Sequence, residues 1–210
     1  MNNPWEEISL DNYEKHMSLN SVKQLQALDR IMKDQWEAYP VKTVMLLGIA
    51  GGNGLRHIRD RQFDAVYGVD INRDYLNTVK KRYDHLSGIL QCLHLDLMKD
   101  ADKLPGAEYV IADLLIEYIG YPAFRNVIRQ VSPRYVSCVI QINSDEEQWV
   151  SESPYIHAFD GLDAVHHQID ETGLTRTMEE AGFAGVFQGT EALPNGKKLL
   201  RLDFSREEWD

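Results

Sequence analysis

Val44-Met45-Leu46-Leu47 is an unbroken apolar run that stops at Gly48 and continues as Ile49-Ala50-Gly51-Gly52-Asn53-Gly54-Leu55. No other stretch restricts the fold as much. Apolar residues in succession, ended by glycine, fit a buried strand that feeds a tight turn. The continuation, Asn53-Gly54-Leu55-Arg56-His57-Ile58, predicts the first turn of a helix over about 53–60, with Asn53 as its N-cap. Glycines at the turn permit positive φ and a close approach of backbone N–H groups to a ligand. A helix N-terminus aimed into the same space favours negative charge. The stretch therefore predicts a nucleotide-type ligand site.

The dinucleotide fingerprint requires glycines at i, i+2 and i+5. Counting from Gly48, the second falls on Ala50; counting from Gly52, the third falls on His57. No Gly-Lys-Ser/Thr follows, so the phosphate loop of the NTPases is excluded as well. The residues downstream have to discriminate.

They first define an architecture. Strands are predicted at 42–48, 65–70, 89–95, 108–113 and 135–142, with helices at about 73–85 and 121–131. Alternation of this kind implies right-handed crossovers and a parallel sheet with helices on both faces. The tail differs: a helix at 170–181 ends at Gly182, and strands 186–192 and 198–204 flank Leu193-Pro194-Asn195-Gly196-Lys197, whose Asn-Gly signals a hairpin. Ahead of the sheet, Leu19, Val22, Leu25, Leu28, Ile31 and Met32 recur at helical spacing before Pro40, and 11–17 predicts a short helix. The organisation expected is a helical leader or lid over 1–40 and a ligand-binding domain over 41–210.

Net charge −11 argues against a nucleic-acid partner, since backbone binding needs a positive surface. A small or cationic molecule fits better. No apolar run reaches the roughly 18 residues of a membrane span, and Met1–Glu7 has neither a basic n-region nor an apolar h-region. No membrane partner and a cytoplasmic location are expected. Cys92 and Cys138 each sit in an apolar strand-like run and read as reduced, buried thiols.

Asp70 closes the second strand, about 20 residues beyond Gly48. A carboxylate there can accept both ribose hydroxyls of an adenosine lying across the strand ends, or it can cap the next helix. Asp96, in His94-Leu95-Asp96-Leu97, can take an adenine amine between flanking leucines or cap its own turn. The fourth strand runs into Ala112-Asp113-Leu114-Leu115-Ile116-Glu117-Tyr118, where open α/β sheets place ligands. Glu117 and Tyr118 either face that cleft or serve as a cap and a half-buried wedge.

Together these features resemble the class I S-adenosylmethionine-dependent methyltransferases, over about 41–204. The resemblance implies a three-layer Rossmann-like sandwich: a mostly parallel seven-stranded sheet closed by an antiparallel C-terminal hairpin. It implies S-adenosyl-L-methionine as cofactor and S-adenosyl-L-homocysteine (SAH) as product. On this likeness Gly48, Ile49, Ala50, Gly51 and Asn53 face the methionine part, Asp70 and Ile71 the ribose, and Asp96 and Leu97 the adenine. Two positions depart from the family. The acid usual two residues before the first loop glycine is Leu46, and the second glycine is Ala50. The methionine amine then needs another acceptor: the Gly48 carbonyl, Asp113 or Glu117.

A narrower likeness, to a bacterial subgroup of small methyltransferases, rests on Tyr13-Glu14-x-His16-Met17, the glycine loop, Val-Asp-Ile-Asn-x-x-Tyr-Leu and Glu-Tyr-Ile. In such enzymes a short N-terminal helix folds over the cofactor. Tyr13 and His16, at i and i+3, share a helical face, so they are candidates for the active site alongside Glu117, with His16 a possible general base. Tyr118, Tyr155, His157 and Phe159 are candidates for substrate contact. The histidines near Asp160 fit no zinc spacing, and no metal is expected. The activity expected is methyl transfer to an O, N or C atom of a small molecule by a monomer or homodimer. An aminopropyl transferase and a non-catalytic cofactor-binding module are the alternatives.

Overall fold

The structure, a computed structural model, describes residues 3–143 and 149–206. Its central strand, β1 (Thr43–Leu47), shows why the apolar run is unbroken. Val44 and Leu46 pack with Met32, Trp36, Val66 and Ile111 on one face, and Met45 and Leu47 pack with Val110, Ile116 and Phe124 on the other. Successive strand side chains point to opposite faces, so a strand covered on both sides carries no polar alternation.

β2 (Ala65–Asp70) and β3 (Leu90–His94) extend the sheet in parallel on one side of β1, and β4 (Tyr109–Asp113) and β5 (Tyr135–Ile142) on the other. β7 (Lys198–Arg206) inserts antiparallel between β5 and β6 (Phe183–Ala192), giving the order β3-β2-β1-β4-β5-β7-β6. The expected mixed sheet with its terminal hairpin is thus what the chain forms. At the hairpin turn Gly196 takes φ +84°, which the Asn-Gly signal provides for. Strand six begins at Phe183, three residues earlier than expected. Cys92 on β3 and Cys138 on β5 are free thiols. Among the described residues no helix is long and apolar enough to cross a membrane.

Among the described residues five α-helices cover the sheet: α1 (Leu10–Ser18), α2 (Gln24–Glu37), α3 (Arg73–Arg82), α4 (Ile116–Val131) and α5 (Glu171–Glu179). Ser9 caps α1 through the Asn12 N–H at 3.2 Å, and Asp170 caps α5 through that of Gly173 at 2.8 Å. α4 starts before the predicted 121 but is interrupted at Gly120 (φ 71°, ψ 165°), with Pro122 early in the regular part. Leu19 and Val22, read as helical, precede α2.

The helix predicted over 53–60 is absent. Gly48, Ala50, Gly52 and Gly54 all take positive φ, and only a short 3-10 turn, Leu55–His57, follows. Four left-handed residues in seven prevent α-helical nucleation here. The face is covered by α2, whose Met32 side chain lies 2.6 Å from where a Gly54 Cβ would stand. Trp36 Nε1 donates to the Gly54 carbonyl at 3.0 Å. Asn53 is not an N-cap: its Nδ2 donates to the Leu25 carbonyl of α2 at 3.1 Å. α2, part of the expected leader, is therefore built into the layered core.

Candidate functional site: three clefts meeting at Tyr13

The carboxyl ends of β1, β2 and β4 border a cleft of about 690 Å³ lined by Gly48, Ala50, Asp70, Ile71, Asp96, Leu97 and Asp113. A second cleft of about 650 Å³ lies under the glycine loop against Leu46, Ile49, Gly51, Asn53 and Arg82. The two share Tyr13, Gly48, Ala50 and Asp113. A third, of about 700 Å³, is lined by His16, Glu117, Gln141, Trp149, Phe159 and His166, among others. It shares Trp5, Tyr13, Leu114 and Tyr118 with the first. Among the described residues Tyr13 alone borders all three.

Asp70 Oδ2 accepts the Ala50 N–H at 2.9 Å and Oδ1 accepts the Asn72 N–H at 2.8 Å. Burial nevertheless pushes its carboxyl up to about 6, because two backbone donors do not replace lost hydration. Asp113 stands opposite this group at the end of β4. Its Oδ1 accepts from Gln35 Nε2 at 2.9 Å, and its Oδ2 is buried without a partner. Burial raises it to about 7 against the pull of Gln35 and Arg201. Glu117, in the first turn of α4, repeats the pattern. Oε1 accepts the Gln141 N–H at 2.9 Å, Oε2 is buried and unpartnered, and burial raises the carboxyl to about 7. An unpaired buried carboxylate is costly, so each is poised either to hold a proton or to receive a donor.

The other sequence candidates divide. Ile71 and Leu97 line the first cleft. Asp96 does too, but its carboxylate serves its own turn: Oδ1 accepts the Met98 N–H at 3.0 Å and Oδ2 pairs with Lys99 at 2.7 Å. The loop glycine Gly51 makes room for protein rather than ligand, since a Cβ there would strike the Glu14–Arg82 ion pair that ties α1 to α3. His16 Nδ1 lies 2.7 Å from Ser153 Oγ, and its ring packs on Phe159 with centroids 4.6 Å apart. Burial, and Lys197 nearby, lower its pKa to about 4. His157 is not brought to the clefts: its side chain is 88% exposed and pairs with Asp160. Tyr155 packs against the Ile8–Phe159–Leu162 cluster and lines none of the three.

Sequence reasoning missed Trp5, Tyr75, Trp149 and His166. Trp5 meets Tyr118 edge-on at 4.8 Å, and Trp149 stacks on His166 at 4.0 Å. The leader is strapped over β2: Asn72 Nδ2 donates to the Trp5 carbonyl at 2.9 Å and Tyr75 OH to that of Ile8 at 2.9 Å. The Asn72 and Tyr75 positions were visible in the Val-Asp-Ile-Asn-x-x-Tyr-Leu motif, but their partners lie over sixty residues away.

No protein-family model matches the chain, and no curated protein matches its sequence. Solved structures share the fold. Magnesium protoporphyrin IX methyltransferase (ChlM) from Synechocystis PCC 6803, with bound SAH, is 12% identical, with 97% of this chain and 96% of that one covered at TM-score 0.69. The N-methyltransferase NodS from Bradyrhizobium japonicum WM9 is 12% identical over 88% and 97%, TM-score 0.62. The [4+2]-cyclase SpnF is 13% identical over 88% and 83%, TM-score 0.66. At such identities the likeness establishes the Rossmann-like fold these proteins have in common, and no more.

Proposed function

We propose that this chain is an S-adenosylmethionine-dependent methyltransferase acting on an O, N or C atom of a small molecule. One observation carries the reading: Asp70 and Asp113, the latter with a buried and unpartnered Oδ2, line one cleft at the loop after β1. The residues present fit the cofactor. Asp70 retains lone pairs for a ribose diol, and Ile71 and Leu97 offer flat apolar contact to a base at the end bearing Asp96. Asp113 supplies the acceptor for an α-ammonium group that Leu46 does not. The register sets Leu47 beside Ala112, so this acid belongs to the strand next to β1 and lies within reach of the loop. Gly48, Ile49, Ala50 and Asn53 border the adjoining cleft, where a methionine tail fits.

When bound, the cofactor supplies an electrophilic sulfonium methyl, which bonds to the nucleophile as the carbon–sulfur pair returns to sulfur. The chain's contribution is to align the reactants and keep water out. Trp5, Tyr13, Leu114 and Tyr118, which line both the first and third clefts, would do the excluding. We assign the lid role to the strap and α1, over about 3–18, and leave α2 to the scaffold. His16, at about 4, takes up a proton poorly at neutral pH, whereas Glu117 at about 7 is matched to the task. NodS and ChlM, methyltransferases by name, support the reading; SpnF marks the fold as able to host other chemistry.

Titration calorimetry tests it. S-adenosylmethionine and SAH are expected to bind, NAD to give no heat, and decarboxylated S-adenosylmethionine to bind more weakly. Preference for the decarboxylated compound would instead favour aminopropyl transfer. Binding of SAH without methyl transfer to any of a broad metabolite panel would favour a non-catalytic module.

A further inference from the structure

The third cleft has a composition that its neighbours lack. Among the described residues lining it, Glu117 is the single carboxylate, and no lysine or arginine is present. Its walls are ring faces and edges: Trp149 stacked on His166 at 4.0 Å, Tyr118 edge-on to Trp149 at 6.2 Å, and Phe159 against His16. Glu117 lines this chamber, and its Oε2 is a buried acceptor with no partner, while Oε1 is held by the Gln141 N–H. Resting on the methyl-donor reading above, we propose that the methyl acceptor is a small ring-bearing amine that enters as its ammonium ion and docks its nitrogen on Glu117 Oε2.

Two physical effects select an ammonium over a hydroxyl. A cation offsets the charge of a buried carboxylate, which a neutral hydroxyl does not. Aromatic faces attract a cation and are indifferent to an alcohol. The groups facing Glu117 do not supply that charge themselves. His16 from α1 and His166 are both held toward the neutral form by burial, and the Tyr13 and Tyr118 phenols keep their protons. His167, whose N–H donates to the Glu117 carbonyl, lays its ring on Gly120. Asp113 on β4 is a further acid that favours a cation. Lys197, a cation near His16 and His166, does not line the chamber and places its ammonium on the Trp149 carbonyl at 2.5 Å.

The same contact prepares the nucleophile. An ammonium has no free pair; transfer of one proton from nitrogen to Glu117 Oε2 leaves the N–H electrons on nitrogen as a lone pair and gives a neutral carboxylic acid. That proton passes to solvent after product departs, so the carboxylate is regenerated.

Calorimetry on the SAH-loaded protein tests the proposal with benzylamine, phenethylamine and tryptamine against the matched alcohols, followed by a methyl-donor assay with mass detection. At least one amine is expected to bind ten-fold or more tighter than its alcohol and to yield an N-methyl product. Glu117→Gln, which keeps an acceptor for Gln141, is expected to lose at least ten-fold in amine affinity and a hundred-fold in kcat/KM, with SAH affinity unchanged. If SAH binds but the alcohols match or exceed the amines, if no panel amine binds, or if E117Q holds amines as wild type does, the amine assignment falls and the cofactor reading stands. If SAH does not bind the wild-type protein, both fall. The wild-type selectivity is independent of whether the variant folds.

Discussion

Asp70 Oδ2 accepts the backbone N–H of Ala50 at 2.9 Å, and Ala50 stands at φ +45°. The acid at the end of β2 thus holds the loop after β1 in a left-handed conformation at a residue that carries a Cβ. Glycine takes this conformation most readily, and the chain adopts it with an alanine.

The first prediction follows from that strain. A left-handed L-residue costs roughly 1–2 kcal/mol, and glycine's extra unfolded-state freedom returns about 0.5–1 kcal/mol of this. Ala50→Gly is expected to stabilise the protein by about 0.5–1 kcal/mol and raise Tm by a few degrees, read by urea and thermal unfolding. A lower urea midpoint would mean that the alanine side chain contributes packing worth more than the strain.

On the proposed reading, Asp113 sets the pH dependence of cofactor binding. With its carboxyl near 7, it is charged above that pH and neutral below it. SAH affinity is expected to weaken as pH falls from 8 to 6. Asp113→Asn should bind SAH about 10–100-fold more weakly at pH 8, the loss of a charge-assisted hydrogen bond, and show a flat profile across this range. Methylthioadenosine, which lacks the α-amino group, should bind both proteins alike; an equal loss for it would assign Asp113 a merely structural part.

The strap can be loosened at one atom. Tyr75→Phe keeps the buried ring and removes its hydroxyl bond to the Ile8 carbonyl. The expected cost is about 1 kcal/mol. Hydrogen exchange should quicken over residues 5–9 while β1 stays protected, and SAH should dissociate faster. Unchanged exchange in the strap would show that Asn72 holds it unaided.

Glu117 also links stability to pH in the ligand-free protein. Its folded-state carboxyl is raised from 4.5 to about 7, so the folded chain binds the proton more tightly than the unfolded chain. The resulting stability is intact below about pH 4.5 and lost as pH rises through about 7. Glu117→Gln removes that loss. Its unfolding free energy relative to wild type is expected to rise between pH 5 and 8 by on the order of 2–3 kcal/mol, measured by urea unfolding at each pH. A constant difference would mean that the carboxylate finds a partner when it ionises.

The sheet was legible because its determinants are local. Val44–Leu47 and Val110–Ala112 are apolar on both faces, Val136–Ile140 is so but for the buried Ser137, and Asn195-Gly196 specifies its own turn. Asp70 and Asp113 could be named from the strands they end. What could not be read is which side chains converge. The loop read as a turn into a helix at Asn53 instead takes left-handed backbone at every second position from Gly48 to Gly54, and the face left open is filled by α2 from about twenty residues upstream.

The sequence alone therefore determined the strands, the hairpin and the acids at the strand ends, since short-range periodicity and turn chemistry depend on neighbours along the chain. Tertiary structure decided that Trp5, Tyr118, Trp149 and His166 form one chamber, that His157 stays in solvent, and that Asp113 and Glu117 each keep a bare oxygen. Those outcomes depend on distances between residues dozens of positions apart. Crossovers and the packing of the leader set them, and no local pattern encodes either.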